Sequence, residues 1–365
     1  MMKRLGCLLL ALALAGSLSG CGSSGPAEGQ TFAMDTGMNF SAYGKTGEDA
    51  ITAGETEAAL AAAEDEIYRL DEALSRTRED SEVSQLNQAG GEMTAVGDDV
   101  WKLLTSAKTY SAATGDAFDI TVAPVVSAWG FTTDTYQVPS QEELDTLLQL
   151  VDDSRIQLEQ RSDGCYAALG QGQSIDLGGI AKGYASDCVA EIFAQYGVES
   201  GMISLGGNVY VSGAKPDGSA WRVGVQDPQD SSAAVGILDL TDAYAVTSGG
   251  YQRYFEQDGK RYHHIIDPAT GYPAESGLLQ VTVVAGADAA RENDGNPAGT
   301  GTMCDAFSTA LFVMGEEKAL DFWRSGAYEF DLILVTDDGR VLVTDGLADR
   351  FTPMDGSEYS YETVS

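Results

Sequence analysis

Apolar residues in ETEAALAAAEDEIYRLDEAL, residues 55–74, fall at Leu60, Ala63, Ile67, Leu70 and Leu74 with charges between them. That three-to-four spacing predicts a helix buried along one side. Residues 98–113 repeat it through Val100, Leu103, Leu104, Ala107 and Tyr110. SQEELDTLLQLV opens on Ser140 with Glu143 three positions on, a capping-box pattern that predicts a helix start. Residues 180–197, IAKGYASDCVAEIFAQYG, form a further amphipathic segment ending at Gly197, a suitable residue for the position just past a helix. The period then changes. MISLGGNVYVSG, WRVGVQ, GILDL, AYAVTSG, LLQVTVVA and DLILVT are short, β-branched and punctuated by glycine, so they predict strands. A helix over residues 303–314 interrupts them, and another follows over 316–323. Helices early and strands late, with no βαβ alternation and no internal repeat, predict an α+β fold. GADAARENDGNPAGTG, residues 286–301, has the composition of a mobile loop, and residues 354–365 that of a frayed acidic tail.

The first residues follow a different rule. MMKRLGCLLLALALAGSLSGC has two basic residues, a short apolar run and small residues before Cys21. This describes an export signal over residues 1–21 and not a spanning helix, which needs about 20 apolar residues. The small residues ending in cysteine resemble a bacterial lipobox. That resemblance implies cleavage before Cys21, lipid on Cys21, and a body held on the outer face of the cell membrane (or its periplasmic face). Residues 22–30, rich in Gly, Ser and Pro, read as a flexible tether. Residues 31–353 are enough for one large domain or two fused ones, and 43% apolar content allows a sizeable core.

Charge narrows the partners. With 56 acidic against 21 basic residues the net charge is −35, a surface that repels phosphate backbones and argues against nucleic acid. An anionic substrate must then be met by a local device: a metal ion, a lysine or backbone amides. Behind Cys21 only Cys165, Cys188 and Cys304 remain, with no C-x-x-C spacing. One disulfide among them is open, and neither a disulfide framework nor a zinc site is indicated.

Candidate chemistry gathers in four places. On a helix over TMCDAFSTALFVMG, Asp305, Ser308 and Thr309 share one face while Phe307, Leu311 and Met314 take the other. A carboxylate and two hydroxyls suit Mg²⁺ or Ca²⁺; the plain alternative is a first-turn charge beside solvated hydroxyls. In SIDLGGIAKGYASD a strand is expected to end at Asp176, two glycines follow, and a helix begins near Ile180 with Lys182 in its first turn. That arrangement can receive an anion, although glycine turns before helices are common. Asp119 in GDAFDITVAP either accepts from a heterocyclic base or caps a turn, and Gly206–Gly207 mark a bulge or tight bend. Finally, RYHHIIDPATGYP holds both histidines of the chain, His263 and His264. Strand alternation points them in opposite directions, so at most one faces a given site. Pro268 and Gly271 supply the turn that follows.

Taken together, eight segments resemble the ApbE family, the FAD:protein FMN transferases: FAMDTGMNFSAYG, SRTREDSEVSQLN, GDAFDITVAPVVSAWGF, SIDLGGIAKGYASD, ISLGGNVYVSG, TSGGYQRYF, HHIIDPATGYP and DAFSTALFVMG. The resemblance implies a single large domain over residues 31–353, with N-terminal helices packed against a mainly antiparallel sheet. It implies a reaction in which FAD is split at its pyrophosphate, FMN passes to a Thr or Ser hydroxyl of an acceptor protein, and AMP leaves, with Mg²⁺ neutralising charge. It assigns Asp305, Ser308 and Thr309 to the metal with a backbone carbonyl near Gly179. Met34, Ala117, Phe118, Asp119, Asp176, Lys182 and Ile265 are assigned to FAD, and His264 to the acceptor's proton. Some relatives carry aspartate where this chain has Ser308, and alanine is usual where it has Cys304. Implied acceptors are flavin-carrying subunits of membrane redox complexes, Rnf-type or sodium-translocating quinone reductases. An FAD pyrophosphatase giving FMN and AMP, or a lipoprotein that binds flavin without turnover, are the alternatives.

Overall fold

One nine-stranded sheet runs through the molecule, and its spatial order is its chain order. The strands are Ala27–Ala33, Thr36–Ala42, Gly201–Leu205, Asn208–Ser212, Ala243–Gly249, Leu278–Gly286, Asp331–Thr336, Arg340–Thr344 and Ser360–Val364. Neighbours are antiparallel except the last pair, which is parallel. The structure is a computed structural model and describes residues 25–44, 52–133, 135–292 and 298–365. The export signal, Cys21, the start of the tether and residues 293–297 of the expected loop lie outside the described residues.

Strand alternation sorts the two faces. Val281, Val283 and Ala285 turn to one side and join the main core, whereas Val284 turns to the other. Over the first face lie the helices Ala53–Leu74, Asp98–Thr114, Ala181–Gln195 and Thr300–Arg324. Over the second lies a three-stranded sheet, Phe351–Pro353, Ala234–Leu240 and Trp221–Gln226, packing Trp221, Leu238 and Phe351 against Ile333 and Val341. Covered on both sides, the central strands carry nearly continuous apolar residues. A separate aromatic lobe forms around Trp129, Phe131, Leu144 and Ile266. The mixed helix and sheet content and the dominant antiparallel sheet are as the sequence predicts.

Several local expectations are corrected. The tether does not extend to residue 30, because Ala27 onward pairs with Thr36–Ala42. The acidic tail is not frayed: Ser360–Val364 pairs with Arg340–Thr344 at the sheet edge. No strand leads into Asp176. Instead the Asn87 side chain grips both main-chain groups of Ile175, donating to its carbonyl (3.1 Å) and accepting from its N–H (2.7 Å). This side chain serves as the partner that a neighbouring strand would supply. A small sheet of Thr94–Val96, Gly164–Ala168 and Gln157–Arg161 was not expected. Cys165, Cys188 and Cys304 are all free thiols.

The last helix contains a break at Gly315 (φ 79°, ψ 173°), so the two predicted helices meet there without a loop. Its first turn crosses the first turn of Ala181–Gln195 at Gly183 and Gly301. A Cβ on Gly183 would lie 2.2 Å from the Gly301 carbonyl oxygen, so only glycine allows this approach. Each helix start is then held by a carboxylate of the other. Asp187 accepts from the N–H groups of Gly301 (2.7 Å) and Thr302 (2.8 Å), and Asp305 accepts from that of Gly183 (2.8 Å). Both satisfy first-turn N–H groups that have no intrahelical partner.

Candidate active site

The site lies at one end of the large sheet. There Val246 pairs with Asn208, the Thr247 N–H donates to the Gly207 carbonyl (3.1 Å), and strand Ala243–Gly249 continues past its neighbour. Two residues beyond Val246, Ser248 faces the helix layer. Its Oγ lies 2.8 Å from Ser308 Oγ and 3.2 Å from Thr309 Oγ1. One turn earlier on the same helix Asp305 is almost wholly buried, with Oδ2 held by Gly183 N–H and Oδ1 by Asn208 Nδ2 (3.3 Å). Gly179 backs onto the same spot, since a Cβ there would meet the Phe118 ring at 3.1 Å and Thr309 Oγ1 at 3.4 Å. Asp305, Ser308, Thr309 and Gly179 are therefore brought together, with Ser248 and Asn208 added.

The donor set is all hard oxygen: one carboxylate, three hydroxyls and an Asn208 Oδ1 buried without a partner. Among the described residues no three His, Cys, Asp or Glu side chains form a metal-holding group. The cluster thus fits Mg²⁺ or Ca²⁺ and not zinc. Cys304, beside Asp305, stays a thiol, because burial pushes its pKa well up.

Residues expected around a flavin nucleotide take varied places. Met34 and Asp35 form a two-residue turn with φ 47° and 59°, an uncommon conformation outside glycine. The Met34 N–H is fixed by Asp71 Oδ1 (3.0 Å). This turn stands at the same sheet end as Gly206–Gly207, whose positive φ values (57° and 102°) make a tight hairpin turn. Ala117 is half-buried and Phe118 buried. Asp119 caps a turn: Oδ1 accepts from the Thr121 N–H (2.7 Å) and hydroxyl (2.6 Å), and Oδ2 from the Asp153 N–H (3.2 Å). Burial raises its pKa despite those bonds. Asp176 pairs with Arg76 (2.6 Å) and accepts from the Gly178 N–H (2.8 Å). Lys182, in the first turn of its helix, reaches back to the Gly178 carbonyl (3.2 Å). Ile265 is buried in the main core.

The histidines are distinguished by their second nitrogens. His263 Nε2 lies 3.1 Å from the Ala274 carbonyl, its Nδ1 accepts from the Ile265 N–H (3.3 Å), and the ring meets Phe312 edge-on. Both nitrogens are occupied. His264 Nδ1 lies 3.1 Å from the Arg253 carbonyl, which fixes the proton on Nδ1 and leaves Nε2 as the acceptor. Burial pushes the His264 pKa down to about 4, with the charges of His263, Lys182 and Arg253 acting in the same direction. The ring is therefore neutral at pH 7. The following turn is rigid: Gly271 (φ 73°) donates to the Asp267 carbonyl (2.9 Å), and the Trp129 indole donates to the Gly271 carbonyl (2.7 Å).

Ser248, Asn208, Arg76 and Asp187 join the site although the sequence alone assigns them no role. The available signal was position: a hydroxyl at a strand end, an amide directly after a glycine turn, and charged residues in otherwise regular motifs.

The sequence profile of the ApbE family matches residues 34–334. A FAD:protein FMN transferase of Klebsiella pneumoniae (strain 342) is 34% identical over 292 residues, 79% of this chain and 85% of that protein. One of the same name from Treponema pallidum (strain Nichols) is 32% identical over 322 residues, 83% of this chain and 84% of its own. The crystal structure of the ApbE protein from Thermotoga maritima superposes with a TM-score of 0.77 at 30% identity, covering 88% of this chain and 97% of the other. The apo form of the Pseudomonas stutzeri flavinyl transferase ApbE gives 0.73 at 29% identity, covering 88% and 94%. The matched span runs from the Met34 turn past the oxygen cluster on the last helix, and the chain belongs to the ApbE family and is a transferase.

Proposed function

We propose that this chain is an FAD:protein FMN transferase, moving FMN from FAD to a Thr or Ser hydroxyl of an acceptor protein and releasing AMP. The observation that supports it best is the cluster of buried Asp305 and Ser308 with half-buried Thr309 and Ser248 at the sheet end. A carboxylate and three hydroxyls gathered in this way suit a pyrophosphate's counter-ion. Mg²⁺ would be held by Asp305, Ser308 and Thr309 with a main-chain oxygen at Gly179, and would supply charge neutralisation as the two phosphates part. Lys182 adds a local cation in a chain of net charge −35, and its field already reaches His264.

His264 then takes the hydroxyl proton at Nε2 as the acceptor oxygen bonds to the FMN phosphorus. The phosphorus–oxygen bond to the AMP phosphate breaks, and AMP leaves with that bridging oxygen. A ring that is neutral before substrate arrives is ready to accept; the adjacent pyrophosphate charge favours the imidazolium that forms. We further propose that Cys21 carries lipid, placing the chain on the outer (or periplasmic) face of the cell membrane, where flavin-carrying redox subunits of the Rnf or sodium-translocating quinone reductase type are its acceptors.

The test is mass spectrometry of an acceptor subunit incubated with the chain, FAD and Mg²⁺. The expected result is FMN on a Thr or Ser, with transfer about 10²-fold slower in His264→Ala while FAD binding persists. Rapid AMP release with no acceptor and no labelled protein points to hydrolysis instead. Full activity of His264→Ala removes the histidine from this role.

A further inference from the structure

Asn208 begins strand Asn208–Ser212 directly after the glycine turn, 1% exposed and on the same face as Tyr210, toward the helices. Its Nδ2 donates to Asp305 Oδ1 (3.3 Å), while its Oδ1 is buried with no partner. The amide orientation is fixed by chemistry, because turning it over would set its carbonyl against a carboxylate. A buried amide oxygen left unpaired works against folding. Packing alone therefore does not account for asparagine here: a leucine of the same shape would remove the bare oxygen, and what it would forfeit is the donor to Asp305 Oδ1.

We infer that Asn208 is a positioning residue for the cation-holding carboxylate, an inference that rests on the flavin-transfer reading above. Asp305 has two oxygens and two donors, Gly183 N–H on Oδ2 and Asn208 on Oδ1. The donors come from a helix start and a strand start far apart in the chain, so together they fix the carboxylate plane between layers. The Gly183 bond alone leaves that plane free to rotate about it. The bare Oδ1 of Asn208 adds a neutral oxygen beside Asp305, a donor type that hard divalent cations accept. Residues that orient a ligating side chain in this way typically change metal affinity 10–100-fold when removed.

The experiment titrates Mn²⁺ into the full chain, followed by electron paramagnetic resonance, for wild type, Asn208→Leu, Asn208→Ala and Asp305→Ala. FAD affinity in EDTA and the melting midpoint are measured alongside. Expected are an affinity loss of about 10-fold or more in both Asn208 variants and cation-free FAD binding close to wild type, with a cooperative melting transition showing that each variant is folded. If Asn208→Leu does not fold, the smaller Asn208→Ala reads the same quantity. Unchanged Mn²⁺ binding in the Asn208 variants, with Asp305→Ala defective, overturns this inference alone. Wild-type Mn²⁺ binding in Asp305→Ala overturns the cation reading and Asn208 with it.

Discussion

His263 and His264 are chemically identical neighbours whose roles are divided by what the backbone offers each of them. His263 meets an acceptor at Ala274 and a donor at Ile265, so neither nitrogen is left over. His264 meets only the Arg253 carbonyl on Nδ1. Its depressed pKa makes a direct prediction. An unfolded histidine protonates near 6.5, whereas the folded His264 resists until about 4. Between those values the unfolded chain binds more protons. Stability from this group is therefore complete above about pH 6.5 and declines as pH falls toward 4. Proton NMR of the ring should show no titration of His264 between pH 8 and 5; a midpoint near 6.5 would contradict the burial argument. At this scale the sequence was informative where chemistry is scarce. Two histidines and an Asp-Ser-Thr helix face stand out by themselves. Asn208 and Ser248 do not, because their meaning comes from strands and helices that meet only after folding. For Asp119 the sequence allows base recognition or a cap, and its hydrogen bonds are those of a cap.

Elements with local punctuation were legible. Helix Gln141–Leu147 starts where Ser140 accepts from the Glu143 N–H, and Ala181–Gln195 ends just before Gly197 at φ 72°. Strands Ala27–Ala33 and Ser360–Val364 were hidden, one in a tether-like composition and the other in an acidic tail. What makes each a strand is a partner elsewhere, Thr36–Ala42 or Arg340–Thr344, and propensity does not encode that. The closest element contact yields a stability prediction. At Gly183 an added methyl would press on the Gly301 oxygen and, at 2.7 Å, on Asp305 Cβ. Gly183→Ala should cost about 2–3 kcal/mol in urea unfolding, as overpacking does, and should lose transferase activity because Asp305 moves. Gly37→Ala, with open space at its Cβ and no positive φ, is the control expected near wild type. Equal midpoints for the two variants would mean that the helices separate without cost.

The whole molecule is a meander in chain order with its chemistry in the insertions. Between Gly249 and Leu278 the chain leaves the sheet to carry the histidines, and between Gly286 and Asp331 it leaves to carry the oxygen cluster. The first excursion leaves and returns at the Ser248 end and the second at the opposite end, and helix Thr300–Arg324 runs back across the sheet to set Ser308 and Thr309 against Ser248, so residues remote in sequence become neighbours without a second domain. The acidic surface reinforces the need for concentration: Lys182, Arg76 and Arg253 are drawn from only 21 basic residues and all bear on this end. The exchanged carboxylates of Asp187 and Asp305 set how that end comes apart. Neither helix can unwind its first turn without pulling its amides off the other's buried carboxylate and leaving that acid group bare. Unravelling must then be joint, and hydrogen exchange at Gly183, Gly301 and Thr302 should report a single shared opening free energy. Independent rates at these amides would show two separate locks. A shared one means that the floor of the site opens and closes as a single unit, with both helix starts released together.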